Sequence, residues 1–149
     1  MAKDIPTLYL DSTVLITYTL TKLVETERYT HVSAMMDRIN KGEFIALTSF
    51  YALHEVLLFA LRNAPSVDKG RRLGKQAQLE ILQTEIGVLP MTTREEKILH
   101  ARTFAKLEDP SDASHAISAL LSGCQIMVSY DQHFASLPPI LTWKKPEEL

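Results

Sequence analysis

Residues 109–134, DPSDASHAISALLSGCQIMVSYDQHF, carry the pattern that decides the fold. Asp109-Pro110 opens a helix, because proline fixes φ and its missing N–H costs nothing in a first turn. Asp109 or Ser111 caps that helix, which puts Asp112 inside the first turn. Residues 113–121 are mostly small or apolar, so the helix packs closely against a neighbour, and Ser122-Gly123 ends it. Residues 126–130 (IMVSY) then have strand character, and Asp131 stands where the strand gives out. A carboxylate at a helix N-terminus and another at a strand's C-terminal end can face one crevice.

Working outward, TLYL (Thr7–Leu10) is a short strand ending on Asp11. Ser12-Thr13 can cap a helix over residues 14–23, although the β-branched residues there oppose it. Val32, Met35, Met36 and Ile39 recur at helical spacing over residues 30–39, and Lys41-Gly42 stops that helix. Residues 44–47 (FIAL) are a second strand. SFYALHEVLLFALRNAP (residues 49–65) reads as a helix capped by Ser49 and apolar nearly all round, so it should be largely buried. Glu55 is out of place in it. An ionised carboxylate buried alone costs many kcal/mol, so Glu55 must pair, neutralise or bind a cation. The adjacent His54 points about 100° away and is not automatically that partner.

Residues 66–84 form a more polar helix with Leu73, Ala77 and Ile81 on one face. Arg62, Lys69, Arg71, Arg72 and Lys75 make this region locally positive, as a solvated face or as a phosphate-contacting patch. Residues 86–91 (IGVLPM) are a third strand. Thr93 and Glu96 fit a capping box for a helix whose apolar face uses Ile98, Ala101, Phe104 and Ala105. Residues 139–143 (PILTW) give a last short strand. Strands alternating with helices, and no hairpin signal, indicate an α/β fold with a mainly parallel, helix-covered sheet.

In such sheets, sites lie beyond the carboxyl ends of the strands, where strand order reverses. Asp11, Glu55, Asp112 and Asp131 can all reach that edge. Clustered carboxylates raise one another's pKa unless charge is cancelled. A hard divalent cation with oxygen ligands does this, magnesium or manganese rather than zinc. It would position water and neutralise phosphate charge, chemistry that suits phosphodiester hydrolysis.

At 149 residues, 46% hydrophobic and 23% charged, the sequence has the composition of one globular domain spanning residues 1–149. A net charge of −2 argues against a broad basic nucleic-acid surface while leaving room for a local one. The single cysteine, Cys124, excludes an internal disulfide and a cysteine-built zinc site, and its apolar surroundings make it a buried thiol. MAKDIPTLYL has no signal-peptide pattern, and the uncharged run at residues 116–130 is shorter than the roughly 20 needed to span a bilayer. The expected location is the cytoplasm.

DSTVLI after a strand, SFYALHE on a helix, DPSDASHAISAL, and SYDQHF after a late strand resemble the PIN domain family in this order. The IGVLP strand and the closing W-x-x-P segment extend the resemblance over nearly the whole chain. It implies a three-layer α/β/α sandwich around a central, mainly parallel sheet of four to five short strands. It also implies a metal-dependent endoribonuclease that leaves a 5′-phosphate. Small members are often the toxins of toxin–antitoxin pairs, held inactive by a partner that occludes the acidic mouth, and are often homodimers. Residue by residue, Asp11, Glu55, Asp112 and Asp131 match the family's acidic quartet, which binds magnesium or manganese. Ser12 matches the small hydroxyl residue after the first acid, while Ser49 and Ser129 are candidate supporting hydroxyls. Thr13 stands where the family commonly has Asn, and Ser49 lies one residue further from Glu55 than the pattern predicts.

Each residue also has a purely structural reading. Asp11 can cap the following helix, Glu55 can neutralise a buried arginine, and Asp131 can be a turn residue. Asp112 can gain from the helix dipole alone, about 0.3–1 kcal/mol. His115 reads as packed or hydrogen-bonded in the core rather than as a general base, and His100 and His133 have no motif support. Ser129 either orients Asp131 or bonds to backbone. Two rival functions remain: a non-catalytic PIN-like RNA-binding or scaffold protein, and a phosphoryl-transfer enzyme with Asp11 as nucleophile. The latter resembles the haloacid dehalogenase-like D-x-D pattern, against which Thr13 occupies the second acidic position.

Overall fold

The computed structural model describes residues 3–149. Its centre is β1 (Thr7–Leu10), buried from Leu8 to Leu10. Alternation sends Leu8 and Leu10 to one face and Tyr9 to the other, which the period of two requires. The chain continues through α1 (Ser12–Thr19), α2 (Thr26–Asn40), β2 (Ile45–Ser49), α3 (Phe50–Asn63), α4 (Val67–Leu82) and β3 (Gly87–Leu89). After them come α5 (Arg94–His100), α6 (Pro110–Leu121), β4 (Ile126–Val128), a 3-10 turn at Gln132–Ser136 and β5 (Thr142–Lys144). The five strands form one sheet in the order β3-β2-β1-β4-β5, with every pairing parallel.

Right-handed crossovers explain the layering. β1, β2 and β3 step one way across the sheet, so α1 to α4 cover one face. There Leu8, Val14, Val32, Met35, Val56 and Ile81 share a core. The chain then steps back past β1 to β4, so α6 and the segment before it cover the other face. Tyr9, Phe104, Ile117, Met127 and Phe134 pack there. The result is the α/β/α sandwich expected. Strand order reverses between β1 and β4, so their C-terminal ends define the switch point.

Local chemistry sets the ends of the elements. Ser49 caps α3, Ser66 caps α4, Thr93 and Glu96 form the capping box of α5, and Asp109 rather than Ser111 caps α6. Gly42 and Gly123, at φ 78° and 73°, close α2 and α6. Behind Gly123, Cys124 N–H bonds Ala119 O at 3.0 Å and Gly123 N–H bonds Leu120 O at 3.1 Å, a double closure that a left-handed residue permits.

Several elements differ from expectation. α1 stops at Thr19 instead of 23, and α2 begins at Thr26 instead of 30. β5 is Thr142–Lys144 rather than residues 139–143, because Ile126 pairs with Thr142 and the prolines stay outside the ladder. α3 is not largely buried: only Ala52, Leu53, Val56 and Ala60 are, while Phe50 is 54% exposed. α5 ends at His100, and Ile98 is 65% exposed, so the apolar face assigned to it is solvated and only Phe104 reaches the core. On α4 the buried stripe is Gly70, Gly74, Ala77 and Ile81, with Leu73 left partly outside. The glycines let α4 lie against α3. A Cβ on Gly70 would stand 2.9 Å from Ala60 O, and one on Gly74 would stand 2.6 Å from Leu57 Cδ1.

Candidate active site

β1 passes into α1 with Asp11 between them, its N–H held by Val128 O at 3.0 Å. One carboxylate oxygen, Oδ2, accepts from Ser129 Oγ at 2.7 Å, Thr13 Oγ1 at 2.9 Å and Thr13 N–H at 3.4 Å. The helix-capping role of Asp11 is therefore present. It leaves Oδ1 without a hydrogen bond among the described residues, 3.7 Å from His115 Nε2. Thr13 bridges two elements here: it donates to Asp11 and accepts from Tyr130 N–H at 3.0 Å. Ser129 supports Asp11, not the Asp131 side chain for which sequence suggested it. It meets Asp131 only by accepting its backbone N–H at 2.9 Å.

Glu55 lies in the second turn of α3. Its Oε1 accepts from Ser111 Oγ and from His115 Nε2, both at 2.7 Å, and its Oε2 accepts from Ser12 Oγ. The partner is thus a histidine on α6 rather than a buried arginine. Burial opposes the ionised Glu55. The hydrogen bond and charge of His115, with the two serine hydroxyls, outweigh it and hold the carboxyl down at about 2. His54 is exposed and plays no part.

His115 is 1% exposed, and its Nδ1 lies 2.6 Å from Tyr9 OH, which lies 2.6 Å from Ser49 Oγ. Hydroxyl protons rotate, so this chain satisfies the imidazole whether neutral or charged. Burial works against the imidazolium, yet the Glu55 hydrogen bond and the charges of Asp11, Glu55 and Asp112 raise its pKa on balance. Ser49 therefore reaches the cleft only through Tyr9 and His115, besides capping α3.

Asp112 is in the first turn of α6 and 8% exposed. Its carboxylate accepts no hydrogen bond from the described residues. Burial first, then the charges of Asp131, Asp109 and Asp11, push it up to about 6. Asp131 caps the 3-10 turn by accepting His133 N–H at 2.9 Å. His133, which no motif singled out, places Nδ1 at 3.5 Å from Asp112 and 3.3 Å from Asp131.

All four carboxylates line one cleft of about 560 Å³, whose other wall is Ile16, Leu58, Phe59, Arg62 and Asn63. Within it the acids fall into two groups, each closed by a histidine. Asp11, Glu55 and His115 can bring ligand atoms within 4.8 Å of one another, as can Asp112, Asp131 and His133. Oxygen donors dominate both, which fits a hard divalent cation. The donorless, charge-crowded Asp112 is the observation that most directly fits one.

No family model matches the sequence, and no curated protein matches it. Among solved structures, the chain is similar to one of VapBC2 from Rickettsia felis, in a structure bound to a DNA fragment from their promoter. The identity is 12%, the coverage 93% of this chain and 98% of that chain, and the TM-score 0.62. It is also similar to a chain of VapBC-1 from nontypeable Haemophilus influenzae, at 16% identity, with 94% and 98% covered and a TM-score of 0.57. At these identities the likeness is one of fold: with its all-parallel sheet between two helical layers, the chain has the PIN-like architecture that its motifs resemble.

Proposed function

We propose that this chain is a divalent-metal-dependent endoribonuclease. The observation that carries the reading is the convergence of Asp11, Glu55, Asp112 and Asp131 on one cleft at the switch point, with Asp112 accepting no hydrogen bond from the described residues and pushed up to about 6. Together they would hold magnesium or manganese, directly or through water. The bound cation would neutralise phosphate charge and lower the pKa of water in the cleft. The chain's own groups prepare that arrangement. Ser129 and Thr13 aim Asp11, while Ser12, Ser111 and His115 fix Glu55 in its ionised form. The α6 N-terminus favours negative charge at Asp112 and partly offsets its crowding.

The resemblance to toxin components, and the VapBC fold neighbours, support a further reading: the toxin of a toxin–antitoxin pair. An antitoxin that occludes the acidic mouth is the expected partner, and a homodimer the expected assembly. Among the described residues no helix is long and apolar enough to cross a membrane.

The test is incubation with a pool of 3′-labelled single-stranded RNAs in magnesium or manganese, beside EDTA and beside Asp112→Asn. The expected result is cation-dependent cleavage that leaves 5′-phosphate ends and disappears in the variant. Cleavage that survives both EDTA and the substitution would exclude the acidic cleft as its source.

A further inference from the structure

The positive stretch at residues 62–75 divides in the structure. α4 packs on α3 through Gly70 against Ala60 and Leu61, Gly74 against Leu57, and Gln78 Nε2–H donated to Leu53 O at 2.9 Å. Lys69, Arg71, Arg72 and Lys75 belong to α4 and none of them lines the acidic cleft, whereas Arg62 does. On α3, Glu55, Leu58, Phe59 and Arg62 recur at helical spacing, on the face turned away from α4. Arg62 stands two turns beyond Glu55, about 10 Å along the axis. Arg28, Arg38 and Arg71 each pair with a carboxylate, but Arg62 has none within pairing distance among the described residues.

The cleft is therefore negative at one end and positive at the other, with the half-buried Ile16, Leu58 and Phe59 between. A uniformly basic peptide would suit the acids and be repelled at Arg62. A polyanion whose charge at the acids is cancelled by a cation meets attraction at both ends. Between them, an aromatic face can take a nucleobase only when that base is unstacked from its neighbours. We infer that the α3 face from Glu55 to Asn63 is the track for single-stranded nucleic acid leaving the acidic centre, with a base laid on Phe59 and a neighbouring phosphate on Arg62. The inference rests on the nuclease reading above and adds the residues that would hold the strand beside the acids.

Steady-state cleavage of a 12-nucleotide single-stranded RNA, repeated at several salt concentrations, tests it. Arg62→Gln and Phe59→Ala should each raise KM about tenfold with kcat within about twofold. Arg62→Lys should recover most of that loss. Arg62→Gln should also flatten the log–log salt slope of kcat/KM by about 0.7, which Phe59→Ala should leave alone. Phe59→Leu keeps an apolar side chain in place and should match Phe59→Ala in KM if the alanine variant melts early. The same sequence as a duplex should resist cleavage. Unchanged KM and salt slope in both variants, with normal wild-type cleavage, would overturn the track and leave the nuclease intact. Loss of a protein partner in variants whose KM for RNA is normal would give the face to that partner instead. A wild type that cuts no RNA would remove the nuclease reading, and the track with it.

Discussion

Replacing Asp112 by asparagine should make the metal-free protein more stable, and the size of the gain follows from its surroundings. The carboxyl sits at the start of α6 with its side chain 12% exposed, no hydrogen-bond donor among the described residues, and Asp131, Asp109 and Asp11 around it. Burial and these charges move it from the ordinary 3.8 to about 6. At 1.36 kcal/mol per decade this corresponds to about 3 kcal/mol of penalty once it ionises. Residual water at the cleft mouth and the helix dipole reduce it to about 1–2 kcal/mol. The native state holds this proton more tightly than the unfolded chain, so the penalty is absent below pH about 4, grows as pH rises towards 6, and is complete above. Asp112→Asn should thus match wild type at pH 3.5 and exceed it by about 1–2 kcal/mol at pH 7.5. For a chain of this size that is several degrees in Tm. Urea unfolding in EDTA at both pH values measures it. Manganese should reverse the ranking at pH 7.5 by stabilising wild type alone. A variant less stable than wild type by 1 kcal/mol or more at pH 7.5 in EDTA would refute the reasoning, because Asp112 would then be a paired carboxylate.

Other consequences are as direct. Because a proton competes for Asp112, manganese affinity should climb steeply from pH 5 to 6 and level off above about 6.5, by calorimetry. His115→Phe strips Glu55 of its imidazole and leaves Tyr9 OH with one partner fewer, so urea unfolding should show a loss of about 2–4 kcal/mol. Combining it with Glu55→Gln should be clearly non-additive. Gly70→Ala should cost about 1–3 kcal/mol despite alanine's better helix propensity, because its Cβ meets the Ala60 backbone. Gly74→Ala, facing the movable end of Leu57, should cost less, and thermal melts rank the two. Ser118 Oγ is buried with no hydrogen-bond partner among the described residues, so Ser118→Ala should be neutral or stabilise by about 1 kcal/mol.

The sequence made the framework legible because local signals and the long-range fold agree. TLYL ends on an acid, a strand period puts Leu8 and Tyr9 on opposite faces, and proline, serine and glycine mark helix ends at Ser49, Pro110 and Gly123. The failures share one physical cause: burial is decided by partners far away in the chain. α3 reads as apolar all round, yet one face is kept open for the cleft, which no window of its own residues records. α4 hid its packing face because glycine carries no hydrophobic signal; the Gly70-x-x-x-Gly74 spacing was the clue to a close helix approach. Ile98 followed helical periodicity but meets no partner surface, so periodicity alone misled.

At the cleft, the acids were readable from their positions after strands and at a helix start, whereas their partners were not. His115 follows Asp112 by three residues, so the two share a helix face. That spacing places the imidazole near the acids, but its bond to Glu55 spans 60 residues of sequence and needs the α3–α6 contact. Ser129 turned out to serve Asp11 because the parallel pairing of β1 with β4 sets the two strand ends side by side. His133 had no local signal beyond its place two residues after Asp131.

The central claim is that four carboxylates from separate elements act together to hold a divalent cation in one cleft. Calorimetric titration with manganese at pH 7.5, on wild type, Asp11→Asn and Asp112→Asn, tests it most directly. The account predicts binding by wild type and its loss in both variants, each still unfolding cooperatively with a clear Tm. Absence of binding by wild type at millimolar manganese, with and without a short single-stranded RNA, would contradict it.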